Sequence, residues 1–379
     1  MNIPKPASPP SAAAHKKHIV HLISSLGNGG CENMLLTLLP ALHQFRHTIV
    51  TIKTPGYLSD GFSAYGIPVI PACLGHFADV RGYFRLYRII RSLKPQILTT
   101  YLPQADLIGR LLGRLAGVPA IVCSVRARLT QSPFWPLLLA DGLTSFLVTH
   151  YHFNTPVTAK QYAKYFFLPQ RKITIIPNCL SLADYSPHLT DRLTRAELSL
   201  RPDQIVIGCV AQLRKQKGHR FLLTALAKLL LKHQELVLVL VGTGQQKHRL
   251  QKQIKRLNIQ HHVIMLGNRG DIPDILPLFD IFVLPTLYEG MSRALLEAMA
   301  SKLPIITTDL PENRAIFTPH HSALLVKPRD PTALAASLEQ LIFNPARRSS
   351  LAKAAYRQVQ NYDTPKTVRR FLNMYQRLL

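Results

Sequence analysis

With 379 residues, 47% hydrophobic and 17% charged, the chain is long enough for two domains with full cores, and its composition excludes a disordered polymer. The 46 Lys and Arg against 20 Asp and Glu give a net charge of +26, which points to an anionic partner: nucleic acid, an anionic membrane surface or a phosphorylated substrate. The five cysteines (31, 73, 123, 179, 209) contain no CxxC spacing, which excludes zinc-ribbon and dithiol motifs and reads as reduced thiols in a cytosolic protein.

No run reaches the ~18–20 apolar residues of a membrane span. Residues 1–17 are rich in Pro and Ala with Lys on both sides, so they read as a disordered tail and not as a secretory signal. The first strand is His18–Ile23, followed by a glycine loop over 24–32 and a helix from Asn33 to Leu42. Such a loop between strand and helix offers backbone N–H groups to a phosphate. It is not the dinucleotide fingerprint: with Gly27 and Gly29 as the first two glycines, the third position is Glu32. Strand and helix patterns then alternate at 48–53, 68–70, 83–92, 96–100, 105–116 and 120–125, the signature of a parallel sheet with helices on both faces. The segment Cys123-Ser124-Val125-Arg126 closes this run; Arg126 reads either as a ligand for a phosphate or a hydroxyl or as a solvated loop arginine. The apolar segment 133–148, interrupted by Asp141, reads as a core helix or as one that touches lipid. Lys172 to Ile176 is a strand that ends in Pro177-Asn178.

Residues 187–203 are polar and without apolar period, and read as an interdomain linker. A second alternating unit follows. Its strands are 205–210, 236–241, 263–267 and 281–284; the turns after them carry Arg214 and Lys217-Gly218, Gly242-Thr243-Gly244, and Asn268-Arg269. Pro285 closes the last of these strands, and a glycine turn leads into a helix with Leu295, Leu296 and Met299 inward. Glu289 is expected near that helix's start and Glu297 along it; eight helical steps set them ~80° and ~12 Å apart. The N–H groups of Gly290, Met291 and Ser292 are expected at the positive helix end, an anion seat. Taken alone, Glu297 is an ordinary i,i+4 partner of Arg293. Helices are expected at 332–344, 346–361 and 365–379.

Glu289-Gly290 at a strand-to-helix turn, Glu297 eight residues on, and the strand Leu303–Thr308 resemble the nucleotide-sugar site of the retaining glycosyltransferases of family 4, the group 1 transferases with the GT-B fold. The resemblance extends over nearly all of residues 18–379. Gly29-Gly30-Cys31-Glu32 is similar to the family's Gly-Gly-Ala-Glu loop, Pro177-Asn178 to its Pro-Asn-Gly segment, and Leu213 with Lys217-Gly218 to its Arg-Leu…Lys-Gly segment, with Gln212 where Arg is usual. The cleft histidine common in the family has no counterpart at 123–126; His150 and His152 are the alternatives.

The resemblance implies two doubly wound Rossmann-like α/β domains facing across a cleft: an acceptor-side domain at 18–186, the linker at 187–203, a nucleotide-sugar domain at 204–361, and a helix at 362–379 crossing back to the first domain. It implies that Glu297 binds the ribose, Glu289 the donor sugar, and Lys217 with Arg214 the leaving diphosphate. Gly290, Met291, Ser292, Asn268, Arg269 and Gly242 would line the donor site, and Gly29, Gly30, Arg126 and Asn178 the acceptor side. The implied reaction is a sugar transfer with retention, without cofactor or essential metal, onto a glycan or lipid-linked acceptor in cell-surface polysaccharide or lipopolysaccharide synthesis. The charge and the apolar segment add a peripheral position on an anionic membrane at its cytoplasmic face. Two rivals come from other classes. A nucleic-acid-binding protein would use the basic surface, but no recognition helix, zinc pattern or RNA motif appears, so no specific nucleic acid is expected. A nicotinamide-dependent oxidoreductase lacks its glycine fingerprint.

Overall fold

Runs such as Leu236–Val241 and Ala120–Val125 are buried at every residue, which a strand achieves only when both faces of its sheet are covered. The computed structural model describes residues 16–27, 29–76, 78–126, 135–185 and 193–379. Contacts divide the chain into two units, Ser181–Tyr362 and Asn2–Leu180 with Asp363–Leu379.

The second of these units carries β1 (His18–Ile23), β2 (Arg46–Thr51), β3 (Val69–Pro71), β4 (Ile97–Tyr101), β5 (Ala120–Val125), β6 (His150–Phe153) and β7 (Ile173–Ile175). They pair in parallel in the order β3-β2-β1-β4-β5-β6-β7. One face of this sheet packs against the helix Gly30–Ala41 and the C-terminal helix Thr364–Gln376, which buries Phe371, Met374 and Tyr375 beside Ile19, Ile23 and Tyr101. The unit Ser181–Tyr362 carries β8 (Ile205–Val210), β9 (Leu236–Val241), β10 (Val263–Gly267), β11 (Ile281–Leu284), β12 (Ile305–Thr308) and β13 (Leu324–Val326), parallel in the order β10-β9-β8-β11-β12-β13. Each sheet therefore reverses its strand order once, between β1 and β4 and between β8 and β11. Ligands of doubly wound sheets sit outside the carboxyl ends of the strands at such a reversal.

Several expectations shift. Of the tail at 1–17, residues 1–15 lie outside the described residues; Lys17 is held, its carbonyl accepting from the Arg46 N–H at 2.9 Å. The described part of the expected linker, 193–203, falls inside the unit Ser181–Tyr362, where Arg195 bonds Asp280 at 2.8 Å. The helix expected from Asn33 begins at Gly30, because Asn33 N–H already closes a turn on the Gly29 carbonyl at 3.1 Å. Strands β6 and β13, with four and three residues, lack an apolar run long enough to stand out.

Candidate active site

The carboxyl ends of β8 and β11 carry the loops 211–218 and 285–292, and the backbone ties them together. The Leu287 N–H donates to the Gln216 carbonyl at 2.7 Å, and the Gln216 amide donates to the Tyr288 carbonyl at 2.8 Å. Gly218 is in the left-handed region at φ +70°, and a Cβ there would lie 1.9 Å from the Pro285 carbonyl oxygen, so only glycine lets the two loops close. That closure brings the Lys217 ammonium onto Glu289, where it donates to Oε1. Both side chains are largely withdrawn from water, at 18% and 9% exposure. The Thr286 hydroxyl lies 3.3 Å from the same carboxylate oxygen and within reach of the Gln216 and Tyr288 carbonyls. His219, next in the chain, is buried, and burial together with the Lys217 charge pushes its imidazole down to about 4.

The turn after β9 packs on the same loop. Gly242, at φ +135°, approaches the Ala211 carbonyl so closely that a Cβ would lie 2.1 Å from it, and Leu213 N–H donates to Thr243 O at 2.9 Å. Gly242 N–H in turn donates to Gly267 O at 2.6 Å, which brings the end of β10 alongside. Beyond it, Arg269 donates from Nε to Asp271 at 2.8 Å, so its charge is partnered, and Asn268 is exposed.

Glu289 is not on the helix. The helix spans Arg293–Ala300 with Ser292 as its N-cap, and residues 285–292 run without helical geometry. The expected offset of eight helical steps therefore does not apply, and the positive end begins at Ser292, not at Gly290 and Met291. The reason is local: the 285–292 backbone is committed to bonding Gln216 and cannot coil. Ser292 and Met291 are buried beside this end. Glu297, 8% exposed, accepts from Arg293 Nε at 2.8 Å and sits beside Tyr185, whose pKa is raised by burial first and by the Glu297 charge second. The i,i+4 pairing was legible in the sequence; Tyr185, more than a hundred residues away, left no local signal. Arg214 is exposed, and its guanidinium makes no hydrogen bond among the described residues.

In the other unit, Gly29 and Gly30 stand at the N-terminal end of the helix Gly30–Ala41. Arg126 and Asn178 are brought together: Nη1 donates to Asn178 Oδ1 at 2.6 Å, while Nε donates to Ser124 Oγ at 3.2 Å. His152 is fully internal, bonded at both ring nitrogens, and His150 bonds Thr174 at 2.7 Å. Neither histidine replaces a free cleft histidine. Among the described residues no group of three or more His, Cys, Asp or Glu forms a metal site.

The segment 133–148 is described from Trp135. A helix, Trp135–Leu143, and a turn, Ser145–Leu147, leave Leu139, Leu143 and Phe146 at 55%, 65% and 74% exposure. Asp141 interrupts the run because it pairs with buried Arg110 at 2.6 Å. Among the described residues no helix is long and apolar enough to cross a membrane.

Residues 191–358 match the family Glycosyl transferases group 1, and residues 28–184 match Glycosyltransferase Family 4. The UDP-Gal:alpha-D-GlcNAc-diphosphoundecaprenol alpha-1,3-galactosyltransferase of Escherichia coli is 27% identical over 72% of this chain and 73% of its own. An N-acetylgalactosaminyltransferase of Campylobacter jejuni, which acts on a diphospho-undecaprenol-linked saccharide by its name, is 23% identical over 92% and 96%. Among solved structures, Anabaena Alr3699/HepE in complex with UDP-glucose superposes with a TM-score of 0.84 at 20% identity, over 95% of this chain and 99% of that one. Sucrose-phosphate synthase of Thermosynechococcus elongatus superposes with a TM-score of 0.79 at 18% identity, over 96% and 99%. The two family matches cover most of the sequence and the neighbours share both sheets, so the chain belongs to the group 1 glycosyltransferases of family 4, with the GT-B fold.

Proposed function

We propose that this glycosyltransferase moves a sugar from a UDP-sugar to a prenyl-diphosphate-linked saccharide, with retention of configuration. The observation that carries the donor half is the Lys217–Glu289 pair at the strand-order reversal of the second sheet. A leaving nucleoside diphosphate needs a fixed cation, and Lys217 is held in place by Glu289 while its remaining N–H groups are available to phosphate oxygens. The N-terminal end of the helix Arg293–Ala300 adds backbone N–H groups for the same charge. Glu289 holds hydroxyls of the donor sugar, and Glu297, oriented by Arg293 and Tyr185, accepts from the ribose. Gly242 and Asn268 lie on the turns that would face the base. With protein cations neutralising the diphosphate, no metal is required, and the leaving phosphate helps to deprotonate the acceptor on the same face.

The acceptor class is supported by the two relatives that act on undecaprenyl diphosphate saccharides, and by Arg126 at the carboxyl end of the first sheet. A position at the cytoplasmic face of the membrane is supported by exposed Leu139, Leu143 and Phe146, and by the helix Val80–Leu93, which exposes Arg81, Arg85, Arg88 and Arg91 together with Phe84. The test is a panel of UDP-sugars with a prenyl-diphosphate-linked N-acetylhexosamine, reading UDP release and the anomeric proton of the product. UDP release with an anomer matching the donor, undiminished by a chelator, supports the reading. An inverted product, or turnover only with soluble sugars, overturns the corresponding half.

A further inference from the structure

The first sheet ends in a hydrogen-bonded relay whose direction can be assigned atom by atom. His152 Nε2 lies 2.9 Å from the Ile176 carbonyl, which can only accept, so the ring proton sits on Nε2. Burial, reinforced by the Arg126 charge, holds this histidine down at about 3, so the ring stays neutral and Nδ1 carries a lone pair. Ser124 Oγ, 2.8 Å away, must then donate its one proton to Nδ1. That leaves the Ser124 oxygen as an acceptor, and Arg126 Nε donates to it at 3.2 Å. A second acceptor, Asn178 Oδ1, takes Arg126 Nη1 at 2.6 Å. The relay is built into the sheet itself: Ser124 and His152 are register partners on β5 and β6, and Ile176 directly follows β7.

The relay fixes a guanidinium that has no counter-charge bonded to it among the described residues. Its acceptors there, Ser124 and Asn178, are neutral, its third nitrogen meets the weak acceptor Met34 Sδ at 3.9 Å, and its central carbon lies 5.5 Å from the Tyr101 ring centroid. Among the described residues no carboxylate hydrogen-bonds to it. The carboxylate that acts on it at longer range, Asp106, is bonded to Thr100 at 2.6 Å, and burial pushes it up to about 7. Met34 belongs to the helix Gly30–Ala41, so Arg126 also lies beside the opening turns of a helix whose N-terminal end favours anions.

We propose that Arg126 is the receptor for the diphosphate of the acceptor, and that Ser124 and His152 are positioning residues that aim it. This rests on the acceptor class proposed above. A planar fork with two edges already fixed presents its remaining N–H groups in one direction, which suits phosphate oxygens and not a sugar hydroxyl. The aiming role predicts coupling: Ser124 should matter only while Arg126 is present.

The experiment measures, by calorimetry, the binding of farnesyl diphosphate to protein saturated with UDP, and separately the affinity for UDP. Arg126→Ala should weaken farnesyl diphosphate about 100-fold and Ser124→Ala about 10-fold, with UDP affinity unchanged. Ser124→Thr, which keeps the hydroxyl, should restore binding, and melting curves identify any variant that fails to fold. The double variant should bind no worse than Arg126→Ala alone. Additive losses in the double variant would overturn the positioning role of Ser124 and His152. Loss of UDP affinity in place of farnesyl diphosphate affinity would overturn the acceptor's diphosphate as the ligand. No change in Arg126→Ala would remove Arg126 from the acceptor site and leave the donor assignment standing.

Discussion

Lys217 and Glu289 bond to each other across 72 residues of sequence, and this sets what their substitutions should do. Lys217→Met removes a preorganised cation from developing charge, an effect of ~10²–10³ on turnover. UDP-sugar KM should move far less, and a variant whose KM alone rises would show that Lys217 contributes only ground-state binding. Glu297→Gln keeps the side-chain volume beside Arg293 and Tyr185 and removes the charge that would accept from the ribose. UDP should then bind about 1.5–3 kcal/mol more weakly by calorimetry; equal affinity of variant and parent excludes the ribose role. Glu289 and the Lys-Gly pair were legible as residue types in turns after strands, and Glu297 as an i,i+4 helix partner of Arg293. Their joint geometry was not, because it depends on β8 and β11 being neighbours, which no local pattern encodes. Tyr185 was invisible for the same reason. Arg214, two residues after the position where the family carries arginine, lies exposed. If it acts on the diphosphate, Arg214→Ala lowers turnover; an unchanged rate, with Gln212→Arg raising activity, assigns the second cation to position 212.

At the scale of elements, long buried strands were readable because both faces are covered and the apolar runs are unbroken, as in β9 and β11. Helix starts were less readable, since a backbone bond decides them: Gln216 holds the 285–292 loop out of helical geometry, and so moves Glu289 off the helix. The contact between these loops is tight at Gly218. A Cβ placed 1.9 Å from the Pro285 carbonyl cannot be accommodated without moving one loop. Gly218→Ala should therefore cost more than the ~1 kcal/mol typical of an unstrained helix or turn substitution, and should depress turnover through Lys217. A variant with parental melting temperature and turnover would show that the loops are not coupled in this way.

The two units also bury ionisable groups whose charges oppose folding. Burial keeps His47 and His219 down at about 4 and His152 at about 3, against an ordinary value of 6.5. Between pH 6.5 and those values the unfolded chain binds protons that the folded protein refuses. Their stabilising contribution is therefore complete above pH 6.5 and is lost as pH falls towards the folded values. Asp106 works in the opposite sense: burial raises it to about 7 from 3.8, so between those values the folded protein keeps a proton that the unfolded chain releases, and stability falls as pH rises. With three histidines against one aspartate, the net slope below pH 6.5 favours the histidines. Urea midpoints should fall between pH 6.5 and pH 4.5, and a midpoint that stays level or rises would contradict the burial of these rings.

For the whole molecule, the charge of +26 was plain from composition, while the basic side chains' placement was not, because exposure depends on packing. The segment 133–148 allowed a core helix or a lipid contact. Arg110 and Arg114 bind it against the helix Pro103–Leu115, through Asp141 and the Leu147 carbonyl, and in that placement Leu139, Leu143 and Phe146 face outward with Leu111 and Leu115. Exposed apolar side chains of this size are what the proposed lipid-facing surface would use. Neither signal is sufficient alone: each basic side chain near an anionic leaflet contributes ~1 kcal/mol and is screened by salt, and a few inserted side chains give marginal binding. Together they predict flotation with anionic vesicles at low salt, release as salt rises, and no flotation with neutral vesicles. Leu143→Asp with Phe146→Asp should reduce flotation at every salt concentration, whereas Arg85→Gln with Arg88→Gln should reduce mainly the salt-sensitive part. Failure of the parent protein to float with anionic vesicles at low salt, alongside full turnover on a soluble acceptor, would remove the membrane from the proposal and leave the sugar transfer intact.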